Sequence, residues 1–184
     1  MKQRLALALM GAWVMGTIAV ATVAAENFYT IDRLLAARSN AAFAELIDRL
    51  GAAGTRDLLR YLASELNRLY FQIWGYAQMA IGVAVVLLMR KTAPARARHG
   101  AAAMLAIAGV LLAMTPMIVR VGRSLDFVPR DPEPQAMQLF WILHGGYTTL
   151  SLIQLVVGAA VTAAIIRAVR QDAFVTSLRA SVRS

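Results

Sequence analysis

The chain has 184 residues, 59% of them hydrophobic and only 16% charged, with a net charge of +9 and no cysteine. A mean hydropathy of +0.60 excludes an ordinary water-soluble domain, and the lack of cysteine excludes a disulfide framework, a thiolate nucleophile, an iron–sulfur cluster and a Cys-based zinc site. The basic residues flank long apolar runs and form no separate patch, so the charge speaks for a membrane and against nucleic acid.

The first apolar run covers residues 5–25, free of Asp, Glu, Lys and Arg, and is long enough for a helix through a hydrocarbon layer of about 30 Å. Lys2, Arg4 and the small residues Val23, Ala24 and Ala25 also fit a cleavable signal peptide. Against cleavage stand the 21-residue length of the run and a stripe of Ala8, Ala12, Gly16 and Ala19 suited to close helix packing.

Residues 26–68 carry six acidic and six basic side chains and are read as an extracytoplasmic helical segment. Phe43, Leu46, Ile47 and Leu50 recur at helical spacing behind Ser39 and Asn40, either of which can cap, and Gly51 and Gly54 mark a stop. Thr55 is then expected to cap a helix whose Leu58, Leu59, Leu62, Leu66 and Leu69 run straight into the second apolar run, 69–89. That helix therefore begins outside the membrane.

The third run covers 101–119 and the fourth 139–166. Pro116 in the third removes a backbone donor, frees the carbonyl of Leu112 and predicts a kink between Met114 and Met117. Between them, Pro129, Pro132 and Pro134 predict a tight, extended loop. The tail 167–184 places Val169, Phe174, Val175, Leu178 and Val182 among arginines, which reads either as a basic amphipathic helix on an anionic leaflet or as a frayed cytoplasmic end.

The fold expected is an all-α integral membrane protein: a four-transmembrane-helix bundle forming a single membrane domain, with a short amphipathic helical segment between helices 1 and 2. Its charges divide by side. The two ends of the chain and the loop between helices 2 and 3 hold ten basic residues and one acid, whereas the other side nets zero. The positive-inside rule then places both termini in the cytoplasm.

A transmembrane ionisable group is the usual place to look for function, and the sequence has one, His144, followed by Gly145 and Gly146. At similar depth lie Gln72 and Tyr76 of helix 2, Met114, Thr115 and Met117 of helix 3 and Thr17 of helix 1. This layer predicts a polar pocket in which His144 either hydrogen-bonds Tyr76 or Gln72 or acts as a ligand. Imidazole and thioethers suit Cu(I), so His144, Met114 and Met117 are the candidate metal ligands, although methionine is also a common gap-filler. Haem b is the other cofactor considered. His99 lies at the opposite membrane face, leaving a His/Met pair or a site between protomers for it. Glu65, Asn67 and Arg68 are expected to form an interfacial network with Arg120 and Arg123. Ser151 and Thr149 lack the second histidine and the acid of a hydrolytic site, and no catalytic residue is assigned.

Three segments carry a family resemblance: Ala12-Trp13-Val14-Met15-Gly16 leading to Asn27-Phe28, Asn67-Arg68-Leu69-Tyr70-Phe71, and Phe140-Trp141-Ile142-Leu143-His144-Gly145 followed by Gln154-Leu155. They resemble the TMEM205-like family of four-helix membrane proteins, known mostly as a domain of unknown function. Asn27 stands where that family tends to carry proline, and the segment between helices 1 and 2 is long. The resemblance implies a bacterial-type membrane protein without a settled activity, distantly similar to families linked to copper handling or haem metabolism.

Two readings of function from different classes follow. The leading one is a non-enzymatic accessory or interaction protein without a cofactor, docking through helix 2 and the amphipathic segment onto another membrane protein or a second copy. The alternative is metal (copper) or haem handling centred on His144, and a small-molecule transporter is a third. Gly75 and Gly82 on one face of helix 2 suit either a homo-oligomer or packing within the monomer.

Overall fold

The computed structural model describes the backbone of residues 2–181 and the side chains of residues 2–171. It is all-helical among those residues, in the order α1 (Lys2–Ala37), α2 (Ala41–Leu50), α3 (Ala52–Met89), α4 (Ala95–Arg123) and α5 (Gln135–Ser181). Four of these, α1, α3, α4 and α5, are long and apolar enough to cross a membrane. The chain is an integral membrane protein by that measure.

The four long helices run up and down in a ring, each packed on the next and α5 closing onto α1. The start of α1, the turn between α3 and α4, and the far end of α5 lie on one side, called here the terminal face. The α1–α2–α3 connections and the loop between α4 and α5 lie on the other, the loop face.

The core fills the terminal half. Ala6, Met10, Trp13, Val85, Met89, Ala101, Met104, Ala108, Val161 and Ile165 form its buried cluster. With no water to drive helices together inside a bilayer, close packing and interhelical hydrogen bonds hold such a bundle, and both are present. A Cβ added at Gly82 would lie 2.7 Å from Trp13 Cη2 and 2.9 Å from Leu105 Cδ1, and one at Gly75 would lie 2.9 Å from Leu112 Cδ1. Gly75 and Gly82 thus serve packing within the monomer. Trp13 Nε1 donates to Gln78 Oε1 (3.2 Å), and Gln154 Nε2 donates to the Met104 carbonyl (3.0 Å), both buried.

Three expectations are corrected in detail. Helix 1 does not stop at residue 25 but continues to Ala37, because backbone hydrogen bonding does not need the apolar composition that ends at the membrane surface. Thr55 is not the cap of α3. Gly51, at φ 76°, makes the break, and Thr55 lies a turn inside the helix with its hydroxyl on the Gly51 carbonyl (2.9 Å). In the small-residue stripe of helix 1, Ala8, Ala12 and Ala19 are exposed, and Gly16 lies against the Trp74 ring.

Other expectations match. Asn40 caps α2 by accepting from the Phe43 backbone N–H (3.0 Å). The helix leading into the second span starts at Ala52, well before residue 69. The side chains that decide between the two readings of the tail, from residue 172 onward, lie outside the described residues.

Candidate functional site

At the loop face α3 and α4 part, leaving a cleft of about 600 Å³ lined by Glu65, Arg68, Leu69, Gln72 and Tyr76 from α3 and Leu112, Thr115, Pro116, Val119, Arg120 and Arg123 from α4. Arg120 and Arg123 lie in the last turn of α4 and Glu65 and Arg68 just before the apolar run of α3, and the helical repeat places the other lining residues one to three turns deeper. Gln72, Tyr76, Pro116 and Arg120 are exposed, so the cleft opens sideways between the two helices.

The charged mouth is a linked network. Arg68 makes a two-pronged ion pair with Asp126, Nη1 to Oδ2 and Nη2 to Oδ1, both 2.8 Å, and also contacts Glu65. Glu65 in turn takes Arg123 Nη2 at 3.1 Å. The Arg123 and Arg68 guanidiniums hold the Glu65 carboxyl below its ordinary range. Burial works against the charge on Arg68, but the bonds from Asp126 and Glu65 outweigh it and raise its pKa. Arg120 has no carboxylate partner among the described residues.

The network expected from Glu65, Asn67, Arg68, Arg120 and Arg123 is present with three changes, the first being that Arg120 makes no ion pair in it among the described residues. Asp126, from the turn after α4, is the principal partner of Arg68. Asn67 faces the other way, receiving the Asn27 amide (2.7 Å) and donating to the Ala24 carbonyl (2.9 Å), so it ties α3 to α1 instead.

The residues of the expected polar pocket are divided by the structure. Gln72 and Tyr76 line the cleft. His144 does not line it: it is exposed on α5, its ring stacked on Phe140 at 5.5 Å and edge-on to Trp141 at 6.4 Å. Met114 reaches toward α5, its methyl group 3.6 Å from where a Gly146 Cβ would sit, while Met117 is exposed. The single pocket is therefore corrected to a cleft and an aromatic cluster. Among the described residues no His144 side-chain hydrogen bond to Gln72 or Tyr76 is present, nor any group of three or more His, Asp or Glu able to hold a metal. Thr115, Thr148 and Ser151 bond the carbonyls one turn back, each at 2.9 Å, the usual outcome for hydroxyls inside apolar helices.

Comparison with protein-family models, curated proteins and solved structures finds no match. The chemistry must be argued from this chain alone. Of the two fully buried glutamines, sequence reasoning passed over Gln78 and named Gln154 only within the resemblance, and it gave Asp126 no role. A glutamine in the middle of an apolar run is a visible signal, since burying its amide without a partner is costly.

At the same face, α1, α2 and α3 rise together beyond the bilayer's reach. At 1.5 Å per residue, the 36 residues of α1 and the 38 of α3 extend about 54–57 Å against a hydrocarbon layer of about 30 Å. Ile31, Ile47, Thr55 and Ala63 are buried in this projection, and ion pairs Arg33–Glu26 (2.7 Å), Arg38–Asp48 (2.9 Å) and Arg56–Asp32 (3.3 Å) brace it. Leu34, Leu46, Leu50, Leu58 and Leu62 remain exposed on it.

Proposed function

We propose that the protein is a non-enzymatic accessory protein of a bacterial inner membrane, with both termini cytoplasmic, which docks a helix of another membrane protein on its projecting α1–α2–α3 hairpin. The observation that carries this reading is the pair of exposed leucine ladders on the projection, Leu46 and Leu50 on α2 and Leu58 and Leu62 on α3, each leucine at least half exposed. Residues four apart lie on one helix face, and such apolar stripes suit a helix laid into a groove. The leucines stand above the span, where leaving them in water forfeits about 25 cal/mol for each Å² that a partner can cover.

The orientation is supported by the charge count, since the positive excess gathers on the terminal face. Membership of the TMEM205-like family is part of the same proposal. Residues within the segments that carry the resemblance make the polar ties between helices: Trp13 to Gln78, Asn27 to Asn67, Arg68 to Asp126 and Gln154 to the Met104 carbonyl.

The test is a photo-crosslinking side chain at Leu62 in the full-length protein, expressed in its host membrane. One discrete adduct to another membrane protein is expected, weakened about tenfold when Leu58→Ser removes a neighbouring anchor. Crosslinks to lipid alone, or an adduct of twice the chain's own mass, would contradict the accessory reading.

A further inference from the structure

We infer that the cleft between α3 and α4 is a binding site for an anionic membrane amphiphile, with the acidic headgroup on Arg120 and Arg123 and an acyl chain along Leu69, Tyr76, Leu112 and Pro116. Charge is the first ground. Three arginines line the cleft against a single lining carboxylate, Glu65, and the one further acid at the mouth, Asp126, is engaged by both prongs of Arg68. Glu65 is shared between Arg68 and Arg123, which leaves Arg120 as a guanidinium with no carboxylate among the described residues. The loop-face segments as a whole net zero charge, so the local excess comes from placement.

Position is the second ground. Arg120 follows directly on the apolar run 101–119, at the level where headgroups meet hydrocarbon. A cation there with low-dielectric walls beneath it is stabilised by an anion far more than one in open water. A phosphate presents acceptors that match the guanidinium fork.

Shape is the third. Below the arginines the lining turns mostly apolar: Gln72 is polar at the upper level, and Thr115 turns its hydroxyl onto the Leu111 carbonyl. Tyr76 is 61% exposed and Leu69 49% exposed, so the cleft faces the surrounding lipid along about two helical turns, and an occupant can enter sideways without leaving the bilayer. A free inorganic anion would leave this lower part unused. The volume of about 600 Å³ is within the range of sites that enclose small ligands.

The experiment uses the full-length protein in mild detergent, titrated with phosphatidylglycerol, phosphatidylcholine or inorganic phosphate, and reads retained lipid by native mass spectrometry together with the thermal midpoint. Phosphatidylglycerol is expected to be retained in preference to phosphatidylcholine and to raise the midpoint. Arg120→Gln should weaken that retention about tenfold, as loss of a charge-assisted bond does, and because Arg120 makes no ion pair here its fold should persist. Gln72→Trp, which fills the cleft while keeping all three arginines, should weaken retention comparably. Arg33→Gln, a cation on the projection, should leave retention unchanged. Equal retention of the two lipids, undiminished retention by Arg120→Gln and Gln72→Trp, or an inorganic phosphate effect matching that of phosphatidylglycerol would each overturn the proposal.

Discussion

Glu65 is the residue through which the pairing of α3 with the loop-face end of α4 is coupled to pH. Its carboxylate bridges Arg123 and Arg68, which lower its folded pKa. A lowered folded pKa means that the ionised form is favoured by folding. The stabilisation is complete above the unfolded value of about 4.3 and is lost as pH falls through the lower, folded value. Thermal midpoints in detergent should therefore drop as pH is taken from 6 toward 3, and the drop should be shallower in Glu65→Gln, whose amide does not titrate; parallel profiles would contradict this role. His144 shows the limit of residue-scale reading. Its presence in the fourth span was plain, but its direction was not, because an apolar run that is hydrophobic all round carries no phase that says which face meets the bundle. It turned out to stack on Phe140 at the protein surface.

At the scale of the helices, contact is set by where small residues let a large one in. Gly82 admits the Trp13 ring, and Gly158 admits Met104 and Val14, whose side-chain atoms come within 3.0 Å of a Cβ placed there. Gly109 has nothing within 4 Å of such a Cβ. Gly82→Leu should consequently cost about 1–3 kcal/mol through overpacking, while Gly109→Ala should be neutral or stabilise by about 0.5–1 kcal/mol through reduced backbone entropy, as read by unfolding of the two variants in the same detergent. Equal effects would mean that these close approaches do not hold α1, α3 and α4 together. The helices themselves were legible, since length and freedom from charge decide a span. Their true ends were less so: residues 26–37 continue α1 with Glu26, Asp32 and Arg33 among them, and only the neighbouring α3, tied through Asn27 and Asn67 and through Asp32 and Arg56, gives that extension something to pack on.

The whole molecule combines a tightly filled terminal half with a loop half that opens into a cationic cleft and rises into a leucine-bearing projection. The two-sidedness was readable from charge, because lysines and arginines near the ends of spans record which side is which. The cleft was not, because it arises from how α3 and α4 diverge, a tertiary property to which residues 58 positions apart, Glu65 and Arg123, contribute jointly. The absence of native cysteine makes the four-span arrangement directly measurable. Single variants Ser39→Cys, Lys91→Cys and Ala106→Cys place one thiol on the loop face, the terminal face and the middle of α4. With a membrane-impermeant maleimide applied to intact cells, Ser39→Cys should label at once, Lys91→Cys only after permeabilisation, and Ala106→Cys in neither case. Labelling of Ser39→Cys and Lys91→Cys from the same side would contradict the bundle's passage through the membrane, and the reverse order would overturn its orientation.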